Sequence, residues 1–355
     1  MNKIITLSAI ALISGVLTSC NSSENTASPV LNINYPVAYV INGESSTMSI
    51  INLNINELAG LVQLTEKSSD GMNMGKFLQY PHHVYLSPDK STLAIAAPGM
   101  DLSESHNTTM TMEGKVALLD AKTGLVKKVI ALPMSNHNVI YTLDGKEIWT
   151  SQMSEMGKIL VYDAQTLNLK NTITVGKEPA EVTFSADGTV AFVANGMDNT
   201  VMAIDPNTKT ILATIPVGKN PVGAWIGSDN RMYVDNEDGQ SISIIEVKTL
   251  KVVETITLGF MPGFAAFHND TKELWVTDPM NGKVHWWTYD TAMKMFMKGG
   301  SFSTAAGAHA IAFNNMTAYI TNQESASLSI IDVKTHTKTK DLSVGQKPNG
   351  ITLKL

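Results

Sequence analysis

The sequence predicts an all-β fold, a seven-bladed β-propeller of four-stranded antiparallel blades, and three observations carry that expectation. The first is a unit of about forty residues that recurs along the chain, most plainly over Pro179–Pro221. The second is the content of that unit, short β-branched and aromatic runs separated by turn residues, which is the pattern of an antiparallel meander. The third is that the array begins and ends in the middle of a repeat.

In the plainest unit, Val182–Phe184 is bounded by Ala186-Asp187-Gly188, Val190–Ala194 by Gly196–Asn199, and Val201–Ile204 by Pro206-Asn207. A fourth run, Thr210–Val217, ends at Gly218. One such sheet is marginal alone, so it needs a partner to pack on. Copies of itself supply one. Aligned on the residue before each first strand, the repeats start at Pro81, Asn136, Pro179, Pro221, Pro262, Ala308 and Pro348. Tyr141–Gly145, Phe184–Gly188 and Leu86–Lys90 fall at the same turn. Trp275–Asp278, Tyr319–Asn322 and Tyr39–Asn42 fall on the second strand, and Ser329–Asp332 and Ser243–Glu246 on the third. A period of this length built from four strands is the signature of a propeller.

The ends set the blade number. Val37–Ile41, Met48–Leu53 and Gly60–Leu64 read as second, third and fourth strands, and the chain stops after a lone first strand, Asn349–Leu353. Together they make one blade, which joins six complete repeats. The C-terminal strand is therefore expected beside Val37–Ile41, closing the ring and removing its exposed sheet edges.

Ahead of the propeller, placed at 36–355, two segments read differently. Residues 1–19 carry a short positive start and an apolar run, Ile4–Val16, too short for a good membrane span. This is the pattern of a secretory signal. Leu17-Thr18-Ser19-Cys20 resembles a bacterial lipoprotein lipobox, which implies cleavage before Cys20 and lipidation of its thiol. An ordinary signal followed by an incidental cysteine is the alternative. Residues 20–35 are Ser/Asn-rich and read as a flexible tether. Asn21 after the lipidated cysteine points, by resemblance to enteric lipoproteins, to the outer membrane of the cell envelope.

Cys20 is the single cysteine, so the folded part has none for a disulfide, a thiolate metal site or a nucleophile. A formal charge of −6 and a single arginine, Arg231, argue against a nucleic-acid partner. A monomer is expected.

The repeat pattern also carries a family resemblance. Ser185-Ala186-Asp187-Gly188, Tyr319-Ile320-Thr321-Asn322, Ser329-Ile330-Ile331-Asp332 and Thr214–Gly218 followed by Pro221 resemble the YVTN-type repeat of bacterial surface and periplasmic propellers. That family is related to the propellers of nitrous oxide reductase and cytochrome d1. The resemblance covers residues 35–355 and implies fold more strongly than function. Nitrous oxide reductase also places histidines at the mouth of such a propeller. This chain lacks that enzyme's cupredoxin-like domain and has far fewer histidines. No Cys-x-x-Cys-His is present to attach a c-type haem.

In a propeller meander the first strands line the central channel, so the residue after each aligned position lies at the channel mouth. These are His82, His137, Ala180, Val222, Gly263, His309 and Asn349. Three histidines thus share one arc, and His83 is next in sequence. Methionines gather in the connections of the same face: Met100, Met153, Met197 and Met280 at one offset, with Met72 and Met74 before His82, and His106 in the Gly99–Gly114 insertion. Imidazole with thioether is a ligand set that suits copper, Cu(I) above all, better than magnesium or calcium.

The expected site is a transition metal, copper favoured, on His82, His137 and His309, with His83 or a methionine nearby. A metal-free funnel for a small ligand or a protein partner is the competing reading, and so is a purely structural or adaptor lipoprotein. Lactonases of the same blade number imply a further alternative, with Glu181 as base and His137 as its partner. His268 and His336 are expected on the opposite face or rim, exposed to solvent. Trp286 and Trp287 are expected to pack between blades.

Overall fold

The structure is a computed structural model and describes residues 31–64, 78–103 and 112–355. Twenty-eight strands among these residues form seven four-stranded antiparallel sheets arranged as a propeller. Among them no helix is long and apolar enough to cross a membrane.

The burial of each strand follows its position in the blade. Second and third strands are near-continuous apolar runs, as in Val37–Asn42 and Ser241–Glu246, and are buried on both faces between neighbouring sheets. Fourth strands, such as Glu57–Gln63, are largely exposed. The core is therefore a ring of inter-blade layers. In one layer Trp149, Ile159 and Val161 pack on Val182, Phe184 and Val193 of the next blade. Each large apolar side chain fully buried there contributes about 1.5–3 kcal/mol. Trp287 lies in such a layer, and Trp286 stacks on His336 of the adjacent blade at 3.9 Å.

The repeat residues are structural. The Asn that ends a second strand ties it to the third: Asn322 Nδ2 donates to Ser327 Oγ at 3.1 Å and Ser329 Oγ at 3.0 Å, and Asn42 and Asn236 do the same in their blades. The Asp that ends a third strand accepts backbone N–H groups of the turn that follows, as Asp163 does from Gln165 and Thr166. Gly145 and Gly188 turn at φ of 69° and 70°, where a side chain is strained; Lys90 sits at the same turn with φ of 59°.

Ring closure is as expected. The strand Pro348–Lys354 pairs antiparallel with Val37–Asn42, in the order Pro348–Lys354, Val37–Asn42, Thr47–Asn52, Glu57–Gln63. Deleting residues 348–355 exposes the edge of Val37–Asn42 and removes the inner strand of that blade. The expected result is loss of cooperative thermal unfolding and a shift to aggregates in size-exclusion chromatography; a monomer with unchanged melting would contradict it.

Three expectations need correction. Residues 31–35 are not tether: Ile33 is buried, its N–H donates to the Lys122 carbonyl at 2.8 Å, and Leu31 and Tyr35 pack on the same core. His268 is not solvated, because its ring is buried between Thr271 Oγ1 at 3.0 Å and the Asn315 carbonyl at 2.9 Å, against Phe313. His336 is half-buried, held by Glu273 at 3.0 Å beneath its stack on Trp286. In both cases a polar turn residue is covered by an aromatic side chain distant in sequence. Residues 1–30, with Cys20, and Met72, Met74 and His106 lie outside the described residues.

Candidate functional site: a histidine cluster at the channel mouth

Regular β-structure sends consecutive side chains to opposite faces of a sheet. His82 and His83 escape that rule because the entry to their strand is irregular. The His82 N–H donates to the Ala96 carbonyl at 2.8 Å, and the Ala96 N–H donates to the His83 carbonyl at 3.1 Å, so two residues oppose one. This is the geometry of a β-bulge, which re-aims side chains. Gly263 and Phe264 oppose Thr277 in the same way, and the pairing shifts just after Pro179, Pro221 and Ala308. The inner strands with this bulge thereby offer the channel two successive residues.

The result is a compact group of imidazoles. His82, His83 and His137 are all buried and can each offer a ring nitrogen within 4.8 Å of the others. Their ring centroids are 4.4 Å apart for His82 and His83, 4.7 Å for His82 and His137, and 5.0 Å for His83 and His137. His309, half-buried, stands beside this triple, with its centroid 6.0 Å from His82 and 6.2 Å from His83. Of the expected set, His82 and His137 fall in this triple together with His83, which the bulge turns inward, and His309 stands beside it.

Bonds of about 2.1 Å to a tetrahedral ion put ligand nitrogens about 3.4 Å apart. The ring nitrogens of the present cluster lie within 4.8 Å of one another. Asn349, also at the mouth, is committed to Gln323.

Glu181 organises the floor of the cluster. It is completely buried and accepts from Tyr85 Oη and from Asn138 Nδ2 at 2.6 Å on one oxygen, and from His137 Nδ1 at 3.0 Å on the other. His83 Nε2 lies 3.9 Å from that second oxygen. Asn138 is itself clamped to the next blade, donating to the Val182 carbonyl at 2.7 Å and accepting from the Val182 N–H at 3.1 Å. Burial pushes the Glu181 carboxyl up to about 8, against the lowering effect of its Tyr85 and Asn138 donors. Above about pH 8, where Glu181 is ionised, a proton on His137 Nδ1 facing it leaves Nε2 with its lone pair, the arrangement by which carboxylates orient metal-binding imidazoles.

The same facts weigh against Glu181 as a general base. A base has to reach the proton it removes, and Glu181 is enclosed by three donors with no exposed surface. The methionines are mixed in position. Met100 and Met153 are half-buried in their connections, whereas Met197 and Met280 are 50% and 79% exposed.

Beyond the cluster, the Trp225 ring lies 5.7 Å from that of His83 and 3.9 Å from that of Phe264, tilted by 32° to the latter. Its indole N–H donates to the buried Asp235 at 2.6 Å. Sequence reading missed Tyr85, Trp225 and Asp235. For Tyr85 and Trp225 the available signal was their offset, the fourth residue after the aligned position on their inner strands.

Comparisons with known proteins agree with this architecture. An uncharacterized protein, YncE, of Salmonella typhi is 28% identical over 113 residues, which is 31% of this chain and 32% of the relative. The chain thus matches about a third of the length of that curated relative. The periplasmic gluconolactonase PpgL of Pseudomonas aeruginosa superposes with a TM-score of 0.70 at 14% identity, over 90% of this chain and 99% of its own. The dihydro-heme d1 dehydrogenase NirN superposes with a TM-score of 0.62 at 15% identity, over 92% and 76%. At such identities the likeness is one of fold. Residues 47–259, more than half of the sequence, match the family described as Choice-of-anchor I domain. The chain belongs to the choice-of-anchor I domain family.

Proposed function

We propose that this propeller is an extracytoplasmic binding protein for a transition metal, copper favoured, held at the channel mouth by His82, His83 and His137 with His309 alongside. One observation carries the reading: three buried imidazoles converge within 4.8 Å, and a buried carboxylate orients one of them. An imidazole set without thiolate suits copper or zinc. Nearby thioethers shift the preference toward Cu(I), with Met100 and Met153 the described candidates. Met72, Met74 and His106 belong to the same face by sequence.

The test is direct. Metal-free protein beginning after Cys20 is loaded with Cu(I), Cu(II) or Zn(II), desalted and assayed for bound metal. One equivalent of copper is the expected result; the absence of a stoichiometric ion in all three would end the proposal.

We also propose that the chain is anchored to the bacterial cell envelope through lipid on Cys20, the single cysteine at the end of an apolar leader. Cys20→Ser is expected to move the protein from the detergent-extracted membrane fraction to the soluble fraction. Continued membrane association of the variant would count against lipidation.

A further inference from the structure

Beneath the histidine cluster the channel holds a cavity of about 270 Å³ that shares His83 with it. Its walls come from the inner strands of six blades, with Trp225, Phe264 and Phe267 on one side and Tyr85 and Thr183 on the other. Ile226, also in the lining and 36% exposed, marks the end that opens toward the opposite face. No Lys, Arg, Asp or Glu is among the described lining residues. The polar side chains of the lining include His83, Tyr85, whose hydroxyl donates to Glu181, and Thr183.

Trp225 keeps this space open. Its indole folds back over Gly223, where an added Cβ would lie 2.2 Å from the indole nitrogen and from Asp235 Oδ1. Asp235 fixes that position through its hydrogen bond at 2.6 Å, although its own burial holds its carboxyl well above the usual range. A buried acid is thus kept to pin the indole against the wall, in contact with the tilted ring of Phe264. Left unpinned, a side chain of that size would fill the channel.

We infer that the cavity is a binding site for a small uncharged phenol-class aromatic, its ring on the Trp225–Phe264 wall and its hydroxyl toward His83, Tyr85 and Thr183. An apolar cavity of about 150 Å³ already admits benzene, so this one has room for a substituted ring with a hydroxyl. Offset aromatic stacking favours a flat ligand. A carboxylate or ammonium group would lose its water with no opposite charge to meet.

The site shares His83 with the proposed metal centre, so the test uses metal-free mature protein. Calorimetric titration with p-cresol is compared with 4-hydroxybenzoate, which carries the same ring and hydroxyl plus a charge. Saturable binding of one p-cresol is expected, at least about tenfold tighter than 4-hydroxybenzoate. Ala266→Phe, which grows a ring into the lining, is expected to weaken p-cresol at least about tenfold; Thr352→Phe replaces it should Ala266→Phe not fold. Asp235→Asn keeps an acceptor for the indole and retains binding, whereas Asp235→Leu releases the indole and lowers it. Absence of saturable p-cresol binding, equal affinity for the charged ligand, or indifference to the cavity-filling variant would each overturn the inference.

Discussion

Replacing His82, His83 and His137 together by alanine is expected to abolish stoichiometric copper binding, while His309→Ala alone leaves it in place with weakened affinity. The geometry sets the order. The three mutually close imidazoles supply the nitrogens an ion needs, and His309 has its centroid about an ångström or more farther out. Loss of a group that merely orients a ligand already costs roughly 10–100-fold in affinity. Each single alanine within the triple is therefore expected to exceed about a hundredfold. Competition with a chromophoric Cu(I) chelator measures this. A loss in His309→Ala as large as in His83→Ala would return the centre to the set read from sequence alone.

Glu181→Gln is expected to act in two opposite directions. In metal-free protein it stabilises the fold at neutral and alkaline pH. Burial raises the Glu181 carboxyl from an ordinary 4.5 to about 8, so the folded state holds that proton more tightly than the unfolded state. Its contribution to stability is complete below pH 4.5 and is lost as pH rises toward 8, on the order of a few kcal/mol. Gln does not titrate, so melting temperatures of the variant should stay flat across that window while those of the parent fall.

Metal affinity should move the other way. Tyr85 and Asn138 both donate to one oxygen of Glu181, which draws the amide oxygen of a Gln to that side and turns its NH2 toward His137. His137 Nδ1 then has to accept, its proton shifts to Nε2, and the nitrogen facing the cluster is no longer a ligand. Above about pH 8, where the parent Glu181 is ionised, a loss of about 10–100-fold in copper affinity is expected. Unchanged affinity together with the flattened melting profile would separate Glu181 from the metal site and leave it a buried acid only.

The sequence by itself determined the architecture. Forty-residue periodicity, Asp-Gly turns, Asn at the end of second strands and two half-blades at the termini led to seven closed sheets, because each of these is a local or strictly periodic property. Pro348–Lys354 pairs with Val37–Asn42 as the incomplete ends required. The face and the arc of the histidines followed from the same alignment. Only the tertiary structure decided which of them converge. Bulges at the heads of the inner strands that follow Pro81 and Pro179 turn the second residue inward as well as the first, which brings His83 into the cluster and Glu181 beneath it. Simple alternation would have put His83 and Glu181 on the wrong side. Contacts between blades did the rest: Tyr85 and Asn138 meet Glu181 across 96 and 43 residues of chain, a distance at which no repeat pattern carries information about side-chain partners.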